Sequence, residues 1–172
     1  MVQAMTPKHA EREPRPFNSP LECGLRMLFV LSAAKERPSD LQRLISYDYL
    51  LVHSGDVPAG PNSLHPSVPF RSSELLVKRD LLDAGLNQMF SRELIEKTFE
   101  PSGILYRSTN LTKPFINLLR SEYAAALRLR SKWLIDRFGA MHDSELAAFM
   151  TTNIGRWGAE FERLSAIKDL EL

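Results

Sequence analysis

Among its 172 residues the chain holds a single cysteine, Cys23. One thiol forms no intramolecular disulfide and no zinc site. Cys23 sits in an apolar run, so its expected place is the core rather than a nucleophilic site. Histidine is scarce too, with four in all, and none forms a HExxH or HxH ligand pair. Phosphate-cradling loops are missing. Neither GxxxxGK with a following Ser or Thr nor GxGxxG occurs, which speaks against nucleotide binding by this chain alone. No GxSxG elbow marks a hydrolase nucleophile. A dominant charge is also missing: 22 Lys and Arg face 21 Asp and Glu, for a formal net charge of +1. That balance argues against a strongly cationic nucleic-acid coater but leaves room for a local basic face. The longest apolar stretch, Met27 to Leu31 with Ala33 and Ala34 beyond Ser32, is too short to span a bilayer. Residues 1–16 are polar and proline-bearing and lack the apolar centre of a secretory leader. The expectation is a cytoplasmic, reduced-thiol protein with a flexible N-terminal tail over 1–16.

What is present is an ordinary globular composition, 44% hydrophobic and 25% charged, in a chain long enough for one domain with a real core. Ser19-Pro20-Leu21-Glu22 reads as a capping box opening a first helix that is apolar nearly all round, and so central. Pro38 separates it from a second helix, opened by the box Ser39-Asp40-Leu41-Gln42 and stopped near Ser54-Gly55. Gly55 to Ser73 reads as a long loop. Lys78 to Arg107 is the most informative stretch. Leu82, Leu86, Met89 and Phe90 share a helical face. Alternation at Ile95, Lys97 and Phe99, the turn Glu100-Pro101-Ser102-Gly103 and the strand Ile104 to Arg107 then form a hairpin. A helix feeding directly into a short hairpin is how a winged-helix module ends. Beyond it, a long helix runs from Thr112 to Gly139. A last helix is capped by Asp143, with a stripe from Leu146 through Trp157 to Leu164. The predicted fold is mainly α: a winged-helix-like module over 17–110 with a small β-hairpin wing, and a C-terminal helical pair over 111–172, forming one domain overall.

The densest polar cluster is Tyr47, Asp48, Tyr49, His53 and Asp56, with Ser54 inside it and His65 further on. A hydrolytic or metal site would use His53 and Asp56. Asp48 and His53 are five apart and share a helical face less well than an i, i+4 pair. Alternatively these side chains fix the long loop by hydrogen bonds. The preferred reading is a partner-contact surface, because tyrosine among charged neighbours suits protein contacts. A DNA reading rests on Lys78, Arg79, Arg92, Lys97 and Arg107, with Lys113 at the joint beyond, on the helix and wing where phosphate contacts would fall. Asp80, Asp83, Glu93, Glu96 and Glu100 lie among them, so a solvated helix of mixed charge is the competing account. Arg128, Arg130, Lys132 and Arg137 on the long helix suit either a solvated face or an acidic partner.

Three strings carry a family resemblance: FNSPLECGLRMLFVLSAA at 17–34, DLQRLISYDYLLVHSGD at 40–56 and SELLVKRDLLDAGLNQMFSREL at 73–94. With NIGRWGAEFER ending it near 163, the chain resembles the middle component of bacterial ABC-three-component systems, which include Lamassu-type assemblies. The resemblance implies a small winged-helix-like subunit without catalytic, cofactor or metal residues. It would work beside an SMC-like ABC ATPase and a separate effector, often a nuclease, in defence against phage or plasmids. A free-standing winged-helix DNA-binding regulator is the alternative.

Overall fold

A computed structural model describes residues 19–67, 71–154 and 156 of the chain; the tail over 1–16 and the end of the last helix's stripe, Trp157 to Leu164, lie outside them. Helix α1 spans Pro20–Ala34, strand β1 Ser39–Asp40, helix α2 Leu41–Val52, and a short 3-10 turn Ser54–Asp56 follows. Helix α3 is Arg71–Phe90, the hairpin strands are β2, Ile95–Glu100, and β3, Gly103–Ser108, and helices α4, Thr112–Asn117, and α5, Glu122–Phe138, come next. A sixth helix, α6, runs through 143–154. Through β3 the element order is helix, strand, two helices and two strands. The antiparallel sheet has the spatial order β1-β3-β2. That arrangement fits a mainly α, winged-helix-like module with a helical C-terminal extension. No helix among the described residues is long and apolar enough to cross a membrane.

Helix α1 forms where its capping signals lie: the Ser19 hydroxyl accepts the Glu22 amide at 3.2 Å, and Pro20 occupies the first turn. Its residues Cys23, Met27, Leu28, Phe29, Val30 and Leu31 are all buried. The helix is the axis of the core, with α3 and α5 packed against it. The crossing with α3 is close enough to require glycine on both sides. A Cβ on Gly24 would stand 2.6 Å from the Gly85 carbonyl oxygen, and one on Gly85 would run into the Pro20 carbonyl.

Several local expectations shift. Ser39 does not cap α2. Ser39 and Asp40 pair with Tyr106 and Leu105 as the third strand, and Asp40 becomes the cap, accepting the Arg43 amide at 2.7 Å. The loop expected over 55–73 is shorter at both ends, because 54–56 is a 3-10 turn and α3 already begins at Arg71. The single long helix from Thr112 to Gly139 is two helices. Ser121 caps α5 through the Ala124 amide at 3.1 Å. Arg128 bridges the break by donating to the Ile116 and Leu119 carbonyls at 2.6 and 2.7 Å, which satisfies backbone oxygens that an unbroken helix would have bonded. Asp143 does not cap α6. Glu145 accepts the His142 amide at 2.8 Å, and Asp143 turns instead to Arg43 at 2.5 Å.

Candidate functional site: a buried charge network and an apolar wing

Three helices each send one charged side chain to a common point inside the molecule. Arg26 of α1 donates from Nε and Nη2 to the two oxygens of Asp48 on α2, at 2.7 and 3.0 Å. Lys78 of α3 brings its ammonium to 3.0 Å from Asp48 Oδ2. Arg26 Nη1 also reaches Glu22 at 3.2 Å, and Nη2 the Cys23 sulfur at 3.3 Å. Arg26, Asp48 and Lys78 are all buried. Charges taken out of water at such a cost persist only when geometry and hydrogen bonds offset the loss. Here a bidentate fork and a second cation do so. Two cations and two carboxylates make the set neutral as a whole. Burial pushes the Asp48 carboxyl up, but attraction from Arg26 and Lys78 and their hydrogen bonds outweigh it and hold it well below the usual carboxylate range.

Aromatic and imidazole groups line one side of this network. The Tyr49 ring lies under Lys78, 5.7 Å from the ammonium to the centroid, and its hydroxyl donates to Asp56 at 2.7 Å. His53 stacks obliquely on Tyr49 at 4.9 Å, and His65 meets His53 edge-on at 6.5 Å. His65 Nε2 lies 2.8 Å from the Tyr123 hydroxyl of α5. Burial, then the nearby positive charge of Arg26, pushes His65 down to about 4. Burial lifts the Tyr123 hydroxyl to about 12 and the Cys23 thiol to about 11, so both keep their protons at neutral pH. Cys23 is a core thiol, as its apolar setting implies.

Most residues of the expected partner-contact cluster therefore face inward. Tyr47, Asp48, Tyr49 and His53 are buried and Asp56 is half-buried. Tyr47 accepts Arg43 Nε at 2.8 Å. They do not form an outward patch, because α2 packs them against α1, α3 and α5. The hydrolytic pair is not assembled as a metal site either: among the described residues no group of three or more His, Cys, Asp and Glu could hold an ion.

Of the expected DNA contacts, Lys78 is a correction, since its ammonium is spent inside the core on Asp48. The stripe that marks α3 foretells this: Lys78 stands four residues before Leu82, in phase with Leu86 and Met89, and all are buried. Asp48 likewise falls in phase with Leu44 and Leu51 on α2. A charged residue in phase with an apolar stripe was the available signal. The other cations stay outside, and three of them are engaged. Arg107 pairs with Glu96 across the strands. Lys97 is 2.5 Å from Asn87 Oδ1 and lies 4.6 Å over the Phe90 ring. Arg92 donates to the Gln88 carbonyl at 2.7 Å. Arg79 is exposed beside a cleft of about 480 Å³ between α2, α3 and α6, lined by Ile45, Leu75, Leu146 and Met150.

The wing itself carries apolar surface outward. Ile95, Lys97 and Phe99 of β2 share a face with Ile104 and Tyr106 of β3, and Phe99 sits directly opposite Ile104. Near the body, Ile95 and Tyr106 are buried. Towards the tip the strands leave the body, and Phe99 becomes 76% and Ile104 37% exposed.

No curated protein and no solved structure matches the chain. A family model does match, over residues 16–160. That span takes in the winged-helix-like module, the buried network and helices α4, α5 and α6, and the chain belongs to the family of the ABC-three component (ABC-3C) system Middle Component 2.

Proposed function

We propose that this chain is a non-catalytic adaptor in an ABC-three-component assembly. It docks on an SMC-like ABC ATPase and on an effector, which would be a nuclease in many such systems, and serves defence against phage or plasmids. Family membership supplies the multi-subunit setting. The observation that carries the adaptor reading is that three of the five expected DNA-contact cations are engaged within the module. Lys78 is buried, Arg107 is paired with Glu96, and Lys97 is held by Asn87 and two rings. A duplex-binding face needs several unopposed cations, because affinity for DNA comes largely from phosphate contacts. A module that engages three of these five cations internally and exposes apolar side chains suits a protein partner.

Co-expression with any ABC ATPase found encoded beside this chain tests the reading. The expected result is co-elution of the two on size exclusion, and no duplex binding by the isolated chain at physiological salt. The regulator alternative retains the exposed Arg79 and Arg92. A chain that elutes alone and shifts a DNA duplex, with the shift abolished by Arg79→Glu and Arg92→Glu, would replace the adaptor with the regulator.

A further inference from the structure

The chain beyond α2 is tied down as a strap over the end of that helix. The amides of Leu64 and His65 both donate to the Val52 carbonyl, at 2.9 and 3.1 Å, so the chain leaves α2 at Val52 and returns to the same point. Within the strap the Ser63 hydroxyl accepts the Gly55 amide at 3.0 Å, and the Ser54 hydroxyl donates to the Asn62 carbonyl at 3.2 Å. A Cβ on Gly60 would stand 2.2 Å from the Ser54 carbonyl oxygen, so the two limbs lie close together. A loop closed on itself in this way is a compact Ω-loop and moves as one piece.

The strap reaches α5 through His65, which is buried. Its Nε2 lies 2.8 Å from the Tyr123 hydroxyl, and the two rings stack at 6.0 Å. Arg26 also hydrogen-bonds that hydroxyl, and a guanidinium only donates. The Tyr123 oxygen therefore accepts from Arg26, and its proton is left for a neutral His65 nitrogen to accept. A protonated imidazole has no acceptor. It would compete with Arg26 for one oxygen and strand the hydroxyl proton. The charges that face His65 oppose a proton there as well. Arg26 of α1, Lys78 of α3 and His53 at the end of α2 disfavour it. Asp48 of α2 favours it, but is already shared between Arg26 and Lys78. Tyr123 of α5, with Glu22 of α1 nearby, keeps its own proton at neutral pH and brings no negative charge.

We propose that residues 54–65 are an acid-released strap: neutral His65 fastens them to α5 through Tyr123, and protonation of His65 unfastens them. The Arg26–Asp48–Lys78 contacts lie on other elements, so the strap opens without unfolding the helical body. None of this depends on the adaptor reading. Fastened, His65 sits at about 4; once exposed it returns to about 6.5. The open form therefore binds more protons and gains population as pH falls, by about 20-fold between pH 7 and pH 5. Amide hydrogen exchange followed by NMR on the full chain, corrected for intrinsic rates, reads this opening. The Leu64 and His65 amides are expected to lose about 20-fold in protection from pH 7 to pH 5, through an opening that low urea does not alter. The Leu28 and Leu31 amides of α1 should exchange only through a urea-sensitive one. His65→Gln, which takes no proton, should hold the protection of the Leu64 amide within about twofold over the same range. Tyr123→Phe keeps the ring and removes the bond, and should lower that protection about fivefold already at pH 7. Leu64 and His65 amides that keep their protection to pH 5, or that exchange only together with α1, would overturn the strap. So would a His65→Gln chain with the parent's pH dependence. The parent's own profile decides where a variant does not fold.

Discussion

The centre of the helical body and the end of the wing treat polarity in opposite ways. At the centre, where apolar side chains are the rule, α1, α2 and α3 bury Arg26, Asp48 and Lys78 against one another. At the wing tip, where water is the rule, Phe99 and Ile104 stand out in solvent. The first arrangement spends charge on internal geometry: a bidentate fork and a third partner tolerate few relative placements of three helices. The second leaves apolar area unburied in the isolated chain. The same overall composition would permit the reverse, cations outside and aromatics inside, which is the distribution a duplex-binding module needs. Placement rather than net charge separates the two regions.

The largest effect should come from breaking the centre. Asp48→Ala leaves Arg26 and Lys78 buried without their shared anion, and a loss of about 3–5 kcal/mol in unfolding free energy is expected, the usual penalty for stranding a buried charge. Urea denaturation followed by far-UV circular dichroism measures it. Replacing all three with apolar residues, Arg26→Met, Asp48→Leu and Lys78→Met, should recover most of that loss, because no charge is then left unpaired. If the triple variant is no more stable than Asp48→Ala, the network holds the helices in a way that apolar packing does not reproduce.

Gly85→Ala comes next. The added methyl meets the Pro20 carbonyl where α1 and α3 cross, and backbone cannot step aside as a side-chain end would. A loss of about 1–3 kcal/mol is expected for such overpacking, read from the same urea curves. The aromatic side of the centre supplies a pH signature. His65 is pushed down to about 4 in the folded chain, against an ordinary value of about 6.5 in the unfolded one. Between these values the unfolded state binds more protons, so stability rises with pH across that window. The contribution is fully present above about 6.5 and is lost as pH falls through the folded value. The urea midpoint of the parent should therefore drop between pH 7 and pH 5, and His65→Gln should narrow the drop.

The two regions were unequally legible in sequence. The hairpin announced itself through the Glu100-Pro101-Ser102-Gly103 turn and the alternation on either side, and α1 through Ser19, Pro20 and its continuous apolar run. Strand β1 did not, because two residues carry no period and Ser39-Asp40 also spells a helix cap. The break between α4 and α5 was hidden by Phe115, Leu119 and Tyr123, whose i, i+4 spacing runs on through the turn as if the helix were unbroken. The buried network was the least legible element. Cations at 26 and 78 and an acid at 48 look solvated until the three helices are brought together, and only their phase with the apolar stripes hints otherwise. Exposure at Phe99 was hidden for the converse reason. Alternation places it on the same face as Ile95, but how far a strand projects from its body is set by what packs beside it, not by its own residues.

The smallest stability effect should come from the wing tip, and its smallness sharpens the contrast. Phe99→Ser removes a side chain that is 76% exposed and whose cross-strand neighbour Ile104 is itself open to water. Little apolar area returns to solvent on unfolding, and no hydrogen bond or ion pair is severed. The unfolding free energy should stay within about 0.5 kcal/mol of the parent, the range of ordinary surface substitutions. Lys97 gives the internal control one step down the same face. Lys97→Ala gives up the Asn87 bond and the contacts over Phe90 and Tyr106, so it should cost more than Phe99→Ser despite removing a less apolar side chain. Equal costs for the two in parallel urea titrations would mean that Phe99 already rests on the body in solution, and that the hairpin bends back rather than projects.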